Sequence, residues 1–158
     1  MGTRSTIALE YADGTVEQVY CHWDGYLAYN GQMLAEHYSN PFILRDLIDL
    51  GDISSLRPTV GTKHDFSHFS TAMDQKEYEA LYGDMTTFYG RDRGETGTGA
   101  KKFKDFADYV ANHQYEEYEY ILRSVGGEAV WFVADHSEEF KPLLLALIDE
   151  AEAETLHA

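Results

Sequence analysis

The sequence predicts an α+β fold: one mostly antiparallel sheet built from two hairpins plus a central strand, with four or five helices packed on it. Three observations carry this expectation. Two alternating stretches flank Asp13-Gly14, and a second such pair flanks Gly126-Gly127. Between and after them, apolar residues recur at helical spacing in 41–50, 102–112 and the C-terminal segment. Hairpins do not stand alone in water, so they must pair with each other or pack on helices.

Taken in order, residues 5–11 and 15–21 read as strands joined by a two-residue Asp-Gly turn. That register places Tyr11 opposite Val16, Leu9 opposite Gln18 and Ile7 opposite Tyr20. Ile7, Leu9 and Tyr11 then face the core, with Ala8, Val19 and Cys21 on the other side. Asn30 is a good helix cap, so a helix should run from there to Tyr38. The next begins at Asn40-Pro41, stops at Gly51, and buries Phe42, Leu44, Leu47 and Ile48. Residues 52–84 read as an irregular insertion, anchored by Ile53, Leu56 and Val60, with a short helix capped by Asp74.

Thr86–Tyr89 has strand composition, and a glycine-dense turn follows. A helix over 102–112 puts Phe103, Phe106, Ala107 and Val110 on one face. Residues 115–123 and 128–133 make the second hairpin, with Tyr118, Tyr120 and Leu122 sharing a face. Exposure of that aromatic face would suit a homodimer. Ser137 is a natural cap for a last helix burying Phe140, Leu143, Leu144, Leu147, Ile148 and Ala151, frayed after Glu152. The 158 residues make a single domain, 1–158.

A formal net charge of -16 disfavours direct contact with nucleic acid. No apolar run reaches the roughly 18 residues of a membrane span, and no leader pattern opens the chain. With Cys21 as the lone cysteine, the expectation is a cytoplasmic protein without disulfides. The charge is unevenly spread. Arg91, Arg93, Lys101, Lys102 and Lys104 form a basic island, whereas from Glu116 onward only Arg123 and Lys141 oppose the carboxylates. An acidic surface serves solubility, attracts a basic partner, or imitates the phosphate array of a duplex, about one charge per 1.7 Å.

Two segments concentrate chemistry. Cys21-His22-Trp23-Asp24-Gly25-Tyr26 could stack Trp23 and Tyr26 on a planar ligand while His22 donates a hydrogen bond, or could simply be a tight turn held by Asp24. Arg91-Asp92-Arg93-Gly94-Glu95 offers forked donors for phosphate, followed by glycines and a helix N-terminus at 102; the competing reading pairs those arginines internally. No Walker motif is present, which argues against nucleotide hydrolysis. His22, Asp24, His37, His64, His68 and Cys21 have ligand chemistry but no metal-site spacing, so neither a metal nor another cofactor is expected. Cys21 reads as a buried strand residue.

Arg4-Ser5-Thr6-Ile7, Tyr20 to Tyr26, Gly31, Leu34, His37-Tyr38, Gly51 to Leu56 and Thr87-Phe88-Tyr89-Gly90-Arg91-Asp92-Arg93-Gly94-Glu95 resemble a family of small uncharacterised phage, prophage and bacterial proteins. The resemblance implies an accessory protein acting in the host cytoplasm against a host defence or regulatory component. It brings no residue roles with it.

The expectation is therefore a non-enzymatic accessory protein binding a small anionic, nucleotide-like ligand through His22, Trp23, Asp24, Tyr26, Arg91, Arg93 and Glu95. The alternative is an acidic DNA mimic, or another inhibitor that meets a basic host surface. A third reading, an enzyme of unassigned class, would use Asp92, Glu95, His22 or His64 as acid or base, yet nothing pairs them.

Overall fold

The computed structural model describes residues 3–63, 80, 82–113, 115–136 and 139–157, with side chains to residue 153. The segment containing His64, His68 and the expected Asp74-capped helix lies outside the described residues, as does Ser137. The described strands are β1 (Ser5–Glu10), β2 (Val16–Cys21), β3 (Ile53–Ser55), β4 (Thr87–Phe88), β5 (Lys101–Phe103), β6 (Tyr118–Val125), β7 (Glu128–Asp135) and β8 (Lys141–Pro142). The helices are α1 (Gln32–His37), α2 (Pro41–Asp49), α3 (Phe106–Asn112) and α4 (Leu143–His157), and a π-helical turn, Leu27–Gly31, precedes α1.

The strands form one sheet in the order β4-β3-β2-β1-β6-β7-β8, with β5 pairing the opening residues of β2. The fold is thus α+β and its sheet is mixed but largely antiparallel. The two hairpins pair through β1 and β6, which run parallel.

The first hairpin differs from expectation by one residue. Gly14 N–H donates to the Tyr11 carbonyl and Tyr11 N–H to that of Thr15, so Ala12, Asp13 and Gly14 form a three-residue loop. Asp13 Oδ1 accepts from both Thr15 N–H and Thr15 Oγ1, at 3.0 and 2.6 Å, while Gly14 adopts a φ of 90°. Ile7 now lies opposite Val19, and Ser5 opposite Cys21. A slip of one residue moves every side chain of a partner strand to the other face, so Val19 and Cys21 join Ile7 and Leu9 in the main core.

That core is closed by Leu34, Tyr38, Leu44, Leu47 and Ile48 from α1 and α2 and by Leu143 and Ala146 from α4. Asn40 caps α2 as expected, its side chain accepting from Phe42 N–H at 2.9 Å, but the Phe42 ring is 73% exposed. One residue on from Pro41, in the first turn, residue 42 points away from the stripe formed by Leu44, Leu47 and Ile48. The opposite face of the sheet buries Ala8, Val16, Phe103, Tyr109 and Ile121, with Phe106 and Phe140 packed beside them.

Four other expectations change. Asn30 is not a cap but a buried member of the π-helical turn, and α1 begins at Gln32. Residues 101–103 are a strand rather than the first turn of a helix; α3 starts at Phe106, where Asp105 accepts from Asp108 N–H at 2.8 Å. Tyr120 and Leu122 lie inside the core and Tyr118 is half-buried, so the face they share is not the exposed aromatic surface expected. Finally, α4 is rotated: Leu143 and Ala146 are buried, Leu144 and Ile148 are exposed, Phe140 belongs to the other face, and the helix continues to His157. The second hairpin turns where expected, with Gly126 and Gly127 both at positive φ between Val125 and Glu128, but its first strand begins at Tyr118 rather than at 115 and the strands reach Val125 and Asp135.

Candidate functional site

The two segments singled out in the sequence meet at one corner of the sheet, where β2 and β4 end and β3 begins. Cys21 pairs with Ile53, then His22 N–H donates to the Ile53 carbonyl and Trp23 N–H to that of Ser54 (3.0 and 3.1 Å). On the other side of β3, Ile53 pairs with Phe88 of β4. The chain turns immediately after β4, with Asp92 N–H donating to Phe88 O, Gly94 N–H to Gly90 O and Glu95 N–H to Tyr89 O. The turn projects Arg93 back over the Tyr89 ring, 5.2 Å from its centroid, with one guanidinium nitrogen 3.5 Å from Ser54 Oγ. A single residue, Ser54, therefore carries both loops: Trp23 on its backbone and Arg93 against its hydroxyl.

Trp23 is 42% exposed and stands edge-on to the His22 ring, centroids 4.7 Å apart. His22 Nδ1 lies 2.7 Å from the Tyr20 hydroxyl. Burial raises the Tyr20 pKa, with Glu116 and Tyr89 raising it further while Arg4 opposes them. The phenol therefore stays an O–H donor. In the neutral ring Nδ1 accepts from it, leaving Nε2–H as the imidazole's remaining donor. Tyr20, His22 and Trp23 thus form an edge-to-face aromatic shelf, with Arg4 and Tyr89 within electrostatic reach of Tyr20 and Arg93 over the Tyr89 ring.

The shelf rests on a loop held from beneath. Gly25 N–H donates to the Thr3 carbonyl at 2.7 Å, and a Cβ at Gly25 would come within 2.7 Å of Ser5 Cβ and 2.8 Å of Thr3 O. Asn30 Nδ2 lies 3.3 Å from each of Ser5 Oγ, Cys21 Sγ and the Trp23 carbonyl. The buried Tyr120 hydroxyl donates to Gly25 O at 2.6 Å. Asp24 takes a left-handed φ of 58°, and its carbonyl accepts from Asn30 N–H. A loop fixed in this way presents Trp23 with little ordering cost on binding.

The other expected site residues divide. Arg91 is spent inside the fold. Its guanidinium donates to Asp92 Oδ1 and Oδ2 and to the carbonyls of Val60, Gly61 and Thr86, at 2.9–3.2 Å, and lies 4.6 Å from the Phe88 ring centroid. All five of its donors are engaged, so it has none for a ligand. Tyr26 groups instead with Tyr29, whose hydroxyl accepts from Arg57. Glu95 is exposed at the turn. The expected anion site at a helix N-terminus is replaced by β5, and the true N-terminus of α3 is occupied by Asp105.

Reasoning from sequence missed Tyr20, Ser54, Tyr89 and Arg4. The spacing of Tyr20 and His22, two apart on a strand, was the available signal. Cys21 is buried beneath the loop, its thiol pushed up to about 11 by desolvation, which suits a packing residue and not a nucleophile. No cluster of three metal-ligating side chains occurs among the described residues. No helix of the described residues is long and apolar enough to cross a membrane.

A second polar group lies within the sheet's other face. His113 Nε2 is 3.0 Å from Glu119 Oε2, both side chains buried, and His113 Nδ1 lies 2.6 Å from the Tyr109 carbonyl and so carries a hydrogen. The ring is stacked on Tyr109 and covered by Tyr115, while Glu119 Oε1 accepts from Glu116 N–H. Closed off from solvent, this pair ties α3 to β6.

Comparison with protein-family models, with curated proteins and with solved structures finds no match to this chain.

Proposed function

We propose that the protein is a non-enzymatic accessory protein that binds a small anionic ligand with a planar ring, of the nucleotide class, at the corner formed by β2, β3 and β4. The ring would stack on Trp23 and accept from His22, and the anion would sit at Arg93. One observation supports this reading: the Trp23 main-chain N–H and the Arg93 guanidinium, 70 residues apart in sequence, both reach Ser54, which brings the loop of a stacking ring beside that of a forked cation. The resemblance to phage and prophage proteins supports a place of action inside a bacterial host.

The test is a thermal-shift and calorimetric screen against nucleoside mono- and diphosphates and cyclic nucleotides. Ligand at 100 times its dissociation constant should stabilise the fold by about 2.7 kcal/mol. Trp23→Ala and Arg93→Ala should abolish that gain while melting close to the parent protein. No response at millimolar ligand would remove the reading.

A second reading, a partner with a basic surface, is favoured by one observation. Asp135, Glu150 and Glu117 all raise the pKa of Tyr118, after the larger effect of burial, so carboxylates from β7, α4 and the segment before β6 gather about one ring. Binding to such a partner should weaken steeply as salt rises.

A further inference from the structure

Helix α4 presents a face that is exposed among the described residues. Leu143 and Ala146 are buried and Leu147 is half-buried, yet Leu144, Leu145 and Ile148 are 67%, 55% and 45% exposed. Residues 144 and 148 are one turn apart, so they form a contiguous apolar ridge with Leu145 beside them. Alongside, a groove of about 150 Å³ between the π-helical turn and α4 is lined by Ala28, Gln32, Leu147, Glu150 and Ala151. The charged groups of the helix from Leu143 to Glu152 are Asp149, Glu150 and Glu152, all acidic, and Lys141 precedes it by two residues.

We infer that this ridge and groove form a docking surface for an amphipathic basic helix of a protein partner, an inference that rests on the second reading above and narrows it. Apolar residues of the partner would cover Leu144, Leu145 and Ile148 and enter the groove, while its Lys or Arg residues meet Asp149, Glu150 and Glu152. Charge complementarity selects this occupant over a second copy. Two α4 faces set against each other would oppose Asp149 and Glu152 with their own kind in a chain of net charge -16.

The experiment is calorimetric titration of the full chain with a synthetic amphipathic helix of leucine and lysine at low and physiological salt. The expected result is binding that Leu144→Glu/Ile148→Glu weakens by about 30-fold or more, although that variant is more acidic. Asp149→Lys/Glu152→Lys should weaken it as well. Circular dichroism confirms folding, and Leu145→Glu alone serves if the double variant does not fold. Equal or tighter binding by a folded Leu144→Glu/Ile148→Glu protein would overturn the docking face and leave only general attraction to basic partners. Absence of binding even at low salt would remove both. Light scattering that finds a parent dimer, dissolved by the same variant, would assign the face to a second copy and overturn the inference.

Discussion

Arg91 and Arg93 stand two residues apart and are interchangeable on paper, yet the structure gives them opposite tasks. Arg91→Ala removes the guanidinium from Asp92, whose side chain is 0% exposed, and strips hydrogen bonds from the carbonyls of Val60, Gly61 and Thr86. Asp92 still accepts from Phe88 N–H at 2.8 Å, but its buried carboxylate loses the Arg91 guanidinium. Breaking a buried pair from one side costs about 3–5 kcal/mol. For a domain of this size each kcal/mol moves the melting temperature by about 2–4 °C, so a fall of roughly 6–20 °C is expected. Arg93→Ala gives up only a long contact to Ser54 and an exposed cation–π pair, and should melt within about 2 °C of the parent. Differential scanning calorimetry of the two variants beside the parent decides the matter. An Arg91→Ala protein as stable as the parent, or an Arg93→Ala protein that is the weaker of the two, would refute the assignment.

Other consequences are as direct. Tyr120→Phe removes the donor to a buried Gly25 carbonyl and should cost about 1–3 kcal/mol by urea denaturation. At pH 8 the Cys21 thiol, pushed up to about 11, is ionised in only about one molecule in a thousand. Folded protein should therefore resist a thiol-specific reagent that labels urea-unfolded protein at once. Burial raises the Asp52 carboxyl above its ordinary 3.8, against the opposing effects of Tyr20 N–H and Lys101. A raised folded-state pKa favours the protonated native state, so stability associated with Asp52 is present at low pH and lost as pH rises through the folded value. Asp52→Asn can still accept from Tyr20 N–H. It should match the parent near pH 3 and become the more stable protein towards pH 7.

Legibility in the sequence followed whether local chemistry alone decided the outcome. Gly126-Gly127 can adopt positive φ at both positions, and the hairpin around it is where composition put it. Asp13-Gly14 carries the same promise, but Thr15 adds a second bond to Asp13 and lengthens the loop, which reverses one whole face of β2. β3 has three residues and no periodicity to read; β2 and β4 define it by pairing on either side. In Leu143-Leu144-Leu145-Ala146-Leu147-Ile148 nearly every position is apolar, so no stripe stands out, and the start after β8 sets which leucines turn inward. The candidate site was half legible. Trp23, His22 and Arg93 were marked by residue type, whereas the meeting of Trp23 and Arg93 on Ser54 depends on a strand order that sequence spacing does not contain.

The measurement that bears most directly on the ligand reading is titration of nucleoside phosphates followed by the fluorescence of Trp23, in a Trp131→Phe background that leaves it the sole indole. Saturable quenching that disappears in Arg93→Ala, with the fold intact, is the expected result. Unchanged emission at millimolar ligand, or equal quenching with and without Arg93, would contradict it.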